Sequence, residues 1–126
     1  MSILRLDHVN VVTVNLDKMV AWYEAVLGLR EGPRPDFPFS GAWLYAGDAP
    51  VVHLVEDDRQ TRTGSEAALK LEHFAFWAKD ASAFEKMLAG YGVPFERIEL
   101  KGVGLIQFHV SEPDGNHLHV DFELKE

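Results

Sequence analysis

Two stretches decide how this chain folds: Leu6-Asp7-His8-Val9-Asn10-Val11-Val12 and Leu71-Glu72-His73-Phe74-Ala75-Phe76-Trp77. Leucine, acid, histidine and the apolar positions after them recur at an offset of 65 residues. Both stretches alternate and carry β-branched or aromatic side chains, the pattern of a half-buried strand. A repeat on this scale marks a duplicated supersecondary unit, so the rest of the chain is read as two halves.

A helix is expected after each strand. Leu16, Met19, Val20, Tyr23, Val26 and Leu27 recur at helical spacing, with Asn15 as N-cap and Gly28 as the stop. Phe84, Met87, Leu88 and Tyr91 make the second stripe, capped by Asp80 or Ser82 and ended by Gly92-Val93-Pro94. Three short strands follow each helix, near 29–31, 42–46 and 51–56, then near 95–99, 104–111 and 117–122. Gly47-Asp48-Ala49-Pro50 and Glu112-Pro113-Asp114-Gly115 are turn sequences in equivalent places. Each half therefore reads β-α-β-β-β. The expectation is one α+β domain over 1–126, with module one at about 1–58, a polar linker at about 57–69 and module two at about 70–126. The linker reads as a surface loop rather than a domain boundary, because neither half alone is long enough to bury an ample core.

Composition narrows the function. Apolar residues make up 47% and charged residues 25% of 126 residues, the balance of a globular protein rather than a disordered one. No apolar run approaches the ~18 residues of a membrane span, and the N-terminus enters a strand-like pattern directly, so neither a membrane segment nor a signal peptide is expected. A net charge of -8 argues against a nucleic-acid partner. With no cysteine, the chain has no disulfide, thiolate ligand or thiol nucleophile, and the cytoplasm is the expected compartment. No Ser-His-Asp elbow and no Gly-rich phosphate loop appears. Six histidines remain to be explained.

Val51-Val52-His53-Leu54-Val55 aligns with His117-Leu118-His119-Val120-Asp121 at an offset of 66, so His53 meets His119 as His8 meets His73. Residues two apart on a strand share a face. Val9 and Val11, Phe74 and Phe76, Val52 and Leu54, and Leu118, Val120 and Phe122 suit the helix-covered face. His8, Asn10, His53, His73, His117, His119 and Asp121 then point the other way. A lone strand histidine is more often a hydrogen-bonded structural residue than a ligand. Four at symmetric positions point to one divalent cation, held by His8, His53, His73 and His119, since burying unpaired imidazoles costs on the order of 1–3 kcal/mol each. Imidazole suits Zn, Ni or Fe, with Mn a further candidate, and a ligand set with an open position makes a catalytic centre. His53, Asp121 and His117 are the candidates for a base beside the metal. Asp121 or Glu56 could add a carboxylate, Glu56 only if its strand bulges.

The proline-rich segment from Arg30 to Gly41 reads as a wall or lid, or equally as a plain connection. On the first reading Arg34, or Arg30, offers a charge to an anionic substrate, and Phe37 and Phe39 give an apolar edge. Asn10, Tyr45, Trp77, Gln107 and His109 are further candidates for substrate contact, with Trp43 equally explained by core packing.

The βαβββ pair, the Leu-Asp-His start, Trp22-Tyr23-Glu24-Ala25-Val26-Leu27-Gly28-Leu29 and Glu112-Pro113-Asp114-Gly115-Asn116 together resemble the vicinal oxygen chelate superfamily, the glyoxalase, bleomycin-resistance and extradiol-dioxygenase group. The resemblance covers nearly the whole chain. It implies curved mixed sheets around a metal-centred cleft, with ligands from the first and last strands of each module, the places of His8, His53, His73 and His119. Many members carry Glu at the place of His119, and glyoxalase I-like members often carry Glu at that of His53. By this resemblance His53 is the movable member of the set. The implied activity is a glyoxalase-like isomerase or lyase acting on a small oxygenated metabolite. Its rivals are an Fe(II)-dependent extradiol dioxygenase and a non-catalytic small-molecule binding or resistance protein. Open sheet edges and the resemblance both imply a homodimer, with His8 and His53 of one chain completing a site with His73 and His119 of the other.

Overall fold

The computed structural model describes residues 4–57 and 71–125. Most of the expected linker, from residue 58 to 69, lies outside the described residues. The chain divides into two compact units, Met1–Arg62 and Thr63–Glu126, each with its own mixed four-stranded sheet and one helix.

In the first unit, β1 (Val9–Thr13) is followed by α1 (Leu16–Leu27), β2 (Arg30–Gly32), β3 (Gly41–Ala46) and β4 (Ala49–Glu56). The sheet order is β1-β4-β3-β2. The β1–β4 pair is parallel and the other two pairs are antiparallel, as a βαβββ path requires. The helical stripe is the expected one: Met19, Tyr23 and Val26 are buried with Ala42, Leu44, Val52 and Leu54 of the sheet. Each such apolar side chain contributes roughly 1.5–3 kcal/mol by leaving water. Asn15 occupies the N-cap position without a side-chain cap hydrogen bond. Its backbone N–H instead donates to Thr13 Oγ1 at 2.9 Å. Gly28 stops α1 at φ +68, a left-handed conformation that suits glycine. Gly41 opens β3 where nothing larger fits, since an added Cβ would lie 2.4 Å from the Leu54 carbonyl oxygen.

The second unit repeats this path with β5 (His73–Trp77), α2 (Ala81–Gly90), β6 (Glu96–Leu100), β7 (Leu105–Ser111) and β8 (His117–Glu123). Its sheet order is β5-β8-β7-β6, again with one parallel pair. Asp80 caps α2 by accepting from the Ala83 N–H at 3.2 Å. Ile106, Phe108, Val110, Leu118, Val120 and Phe122 form the buried face, with Phe84 of α2 packed edge-on against Phe108 at 5.6 Å. The turn between β7 and β8 is organised by a buried carboxylate. Glu112, 2% exposed, accepts from the backbone N–H groups of Asp114 and Asn116, each at 2.8 Å, and from Asn116 Nδ2 at 3.1 Å.

Candidate metal centre

Strand parity places the histidines as expected within each unit. In the first, Asn10 and Trp43 are both register partners of His53, so the three share the face away from α1. His8 lies one residue before β1 rather than within it. Its ring stacks on His53 at 3.8 Å and 9°, and Trp43 also stacks on His53 at 4.1 Å and 12°. Asp7 Oδ2 accepts from His8 Nδ1–H at 2.8 Å. That hydrogen bond holds the Asp7 carboxyl below the usual carboxylate range. His53 differs from His8 in how it is held: its Nε2–H donates to the Pro50 carbonyl at 3.0 Å. Burial, and then the charge of His8, pushes its pKa below the ordinary histidine value. Glu56 is the partner of Thr13 in the register and lies on the opposite parity from His53, exposed, so the carboxylate alternative at that place is not met.

In the second unit the register pairs His73 with His117, Ala75 with His119, Trp77 with Asp121, His109 with His119 and Gln107 with Asp121. All of these share one face of the sheet. Glu72 ties the first row together, its Oε2 accepting from Nδ1–H of His73 at 2.6 Å and of His117 at 2.9 Å. Those two bonds, His73 first, hold its carboxyl below the usual range. The row continues through His117 Nε2 and His109 Nδ1, which lie 2.8 Å apart. It ends where His109 Nε2–H donates to Gln107 Oε1 at 2.9 Å. His119, buried, donates from Nδ1 to Asp121 Oδ1 at 2.5 Å. Among the described residues, Glu72, His73 and His117 each bring a ligand atom to within 4.8 Å of the others, a group able to hold a metal ion.

The candidate substrate contacts separate into groups. Asn10, Arg34, Phe37, Phe39, Trp43 and His53 line one cavity of about 280 Å³ in the first unit. Tyr45 is elsewhere, its hydroxyl donating to the Pro33 carbonyl at the base of the proline-rich segment. Gln107 and His109 belong to the histidine row of the second unit. Trp77, 68% exposed, opens onto a larger cavity of about 810 Å³ that Arg97, Ile106 and Phe122 also line. Arg97 there is already paired with Glu85 and Glu99.

Two residues of consequence escaped sequence reasoning as functional groups, Asp7 and Glu72. Their signal was present: an acid directly before histidine, repeated at the same offset as the histidines themselves. A ligating imidazole commonly donates its second ring N–H to a carboxylate, which fixes the tautomer and leaves the other nitrogen its lone pair. His8, His73 and His119 are all held in this way at Nδ1, so Nε2 of each keeps the lone pair. The donor set of imidazole nitrogens backed by carboxylates suits a divalent transition ion.

Two histidines, one in each unit, yield a pH expectation. Burial comes first among the causes depressing both His53 and His109, followed for His109 by the neighbouring charges of His119 and His117. Between the unfolded value near 6.5 and the lower folded values, the unfolded chain binds more protons. Their contribution to stability is therefore complete above pH ~6.5 and is lost as pH falls through that window. Histidine NMR titration of the metal-free protein should show both rings with midpoints below that of free histidine.

Comparison with known proteins agrees with this architecture. The sequence profile of the Glyoxalase/Bleomycin resistance protein/Dioxygenase superfamily matches residues 7–104. A relative from Arabidopsis thaliana, Glyoxylase I 4, is 30% identical over 115 residues, which cover 87% of this chain and 66% of the relative. The chain thus spans just under two thirds of that relative's length. A glyoxylase/bleomycin resistance protein/dioxygenase domain from Frankia sp. superposes with a TM-score of 0.77 at 23% identity, covering 97% of this chain and 93% of the other. Lactoylglutathione lyase from Agrobacterium tumefaciens superposes with a TM-score of 0.67 at 18% identity, covering 91% and 90%. No helix among the described residues is long and apolar enough to cross a membrane.

Proposed function

The chain belongs to the Glyoxalase/Bleomycin resistance protein/Dioxygenase superfamily, and we propose that it is a glyoxalase-like divalent-metal enzyme acting on a small oxygenated metabolite by isomerase or lyase chemistry. The observation that carries this reading is the repeated acid-backed histidine. His8, His73 and His119 are each pinned at Nδ1 by Asp7, Glu72 and Asp121. These three are the proposed ligands, through Nε2. A divalent ion bound there supplies Lewis-acid polarisation of a substrate oxygen.

The chain's own residues do the rest. Asp7, Glu72 and Asp121 keep the rings in one tautomer and one orientation. His53 is the proposed base. Its Nε2–H is committed to the Pro50 carbonyl, so its Nδ1 lone pair is available to take a proton. Its depressed pKa keeps that nitrogen unprotonated at neutral pH. His117 and Asp121 are the second candidates for proton transfer, His117 through its contact with His109 and Glu72. The reading includes a homodimer in which His8 and His53 of one chain serve a site with His73 and His119 of its partner. It also includes a cytoplasmic location.

The test is a panel of small α-oxygenated carbonyl compounds and catechols, run on protein loaded with Zn, Ni, Mn or Fe(II). Turnover of the carbonyl compounds with a redox-inert ion is the expected result. Activity confined to catechols with Fe(II) and O2 would replace this reading by the dioxygenase one. No turnover with any ion would leave a binding protein.

A further inference from the structure

We propose that the cavity beside β1, β3 and β4 of the first unit is an anion site for a planar aromatic carboxylate, with Arg34 as its charge partner. The proposal deepens the reading above by naming a substrate class, and it rests on that reading only in taking the bound anion for the substrate.

A guanidinium carries five N–H donors in a fixed plane. One terminal nitrogen of Arg34 donates to the Phe39 carbonyl at 3.0 Å. Its Nε is buried and has no hydrogen-bond partner. Among the described residues no carboxylate forms an ion pair with it, in a chain whose net charge is -8. A buried charged donor left unpaired is costly, and a two-oxygen anion is the partner whose geometry matches the guanidinium fork.

The side chain is held in place by its surroundings. Its guanidinium carbon sits 5.2 Å from the Phe37 ring and 5.5 Å from the Phe39 ring. A Cβ on Gly41 would come within 3.2 Å of its terminal nitrogen, so glycine at that position leaves the room it occupies. Such a fixed cation, already stripped of part of its water, is prepared for an anion rather than for solvent.

The walls specify what the anion is attached to. Phe37 and Phe39 stack at 5.0 Å and 8°, yet are 39% and 43% exposed. Trp43 also lines the cavity, held flat against His53. A cavity of about 280 Å³ lined by these aromatic rings is small by the standard of ligand pockets, which begin near ~300 Å³, and its size suits a single-ring ligand. Asn10 offers an amide for a ring substituent. A benzoate-like ring with its carboxylate on Arg34 satisfies every one of these groups.

Calorimetry of the full chain, stripped of metal with a chelator, tests this with benzoate and its neutral counterpart benzamide. Benzoate is expected to bind, benzamide at least about tenfold more weakly, and Arg34→Met to weaken benzoate by about tenfold or more, each factor corresponding to one charge-assisted contact. Equal affinity for the two probes, unchanged benzoate binding in Arg34→Met, or no benzoate binding at all would overturn the site. The comparison of the two probes uses the unaltered chain, so it stands even if Arg34→Met folds poorly. Reloading the same sample with Zn reports on the metal reading separately, so the two can fail independently.

Discussion

His73→Ala is expected to lower divalent-metal affinity and any turnover by more than ~100-fold while leaving the second unit folded. The size of the effect follows from where His73 sits. Its Nδ1–H goes to Glu72, its ring lies 5.2 Å from His117 and 4.7 Å from His119, and it stands at the head of β5 outside the apolar core. Removing a partner that only orients a ligand costs 10–100-fold in affinity or activity, so removing a ligand costs more. Glu72→Gln should then fall in that smaller range. Its amide can still accept from one ring but carries no charge to hold both His73 and His117. Folding should be spared, because His73 is exposed and truncating it opens no cavity. Isothermal titration with Zn and circular dichroism of the same samples give both readouts. Wild-type affinity in His73→Ala would remove it from the ligand set.

Glu112→Ala is the substitution with the largest expected cost in stability, about 3 kcal/mol. The carboxylate is buried and accepts three hydrogen bonds from Asp114 and Asn116. Bonds to a charged acceptor contribute about 1.5–3 kcal/mol each but do not add, and alanine would leave two backbone N–H groups without this acceptor. The β7–β8 turn would loosen at the point where the chain enters His117. Urea denaturation should therefore show a lowered midpoint, together with weaker coupling of His117 to Glu72 in histidine NMR spectra. Glu112→Gln keeps an acceptor oxygen and should lose roughly half as much. A change below ~0.5 kcal/mol in Glu112→Ala would mean that the turn is held by other means.

The repeat made most of the fold legible. Once Leu6–Val12 was set against Leu71–Trp77, strand order and helix position in each half followed, because period two and period 3.6 segregate apolar residues onto opposite faces in a way few other folds permit. The strand ends shifted by a residue or two. β4 begins at Ala49 rather than 51, since the turn at Gly47 is tighter than the sequence suggests. Asn15 shows a limit of capping rules. Thr13 Oγ1 accepts from the Asn15 N–H at that corner, a local side-chain contact two residues back rather than a cap made by Asn15 itself.

The site was legible at the level of faces and less so at the level of atoms. Parity alone put His8 with His53, and His73, His117, His119 and Asp121 together. It could not separate ring nitrogens, and the difference between His53 and the other three is a difference of nitrogens. The other three give Nδ1 to a carboxylate, and His53 gives Nε2 to a backbone carbonyl. His117 and His109 have no equivalents in the first half, and their contact arises only because β7 and β8 pair in a register that sets His109 opposite His119 and so beside His117. Arg34 was one of two arginines that the sequence offered. The space left by Gly41 distinguishes it from Arg30, and a glycine's neighbours across a sheet are invisible in sequence.

Metal content measured by inductively coupled plasma mass spectrometry tests the central claim most directly, on full-length protein purified without added metal and then dialysed against Zn. The account predicts one divalent ion per chain in the wild type, with losses approaching completeness in each of His8→Ala, His73→Ala and His119→Ala, and retention in His53→Ala. A wild type that holds no ion after exposure to Zn, or an ion retained in full by all three ligand variants, would contradict it.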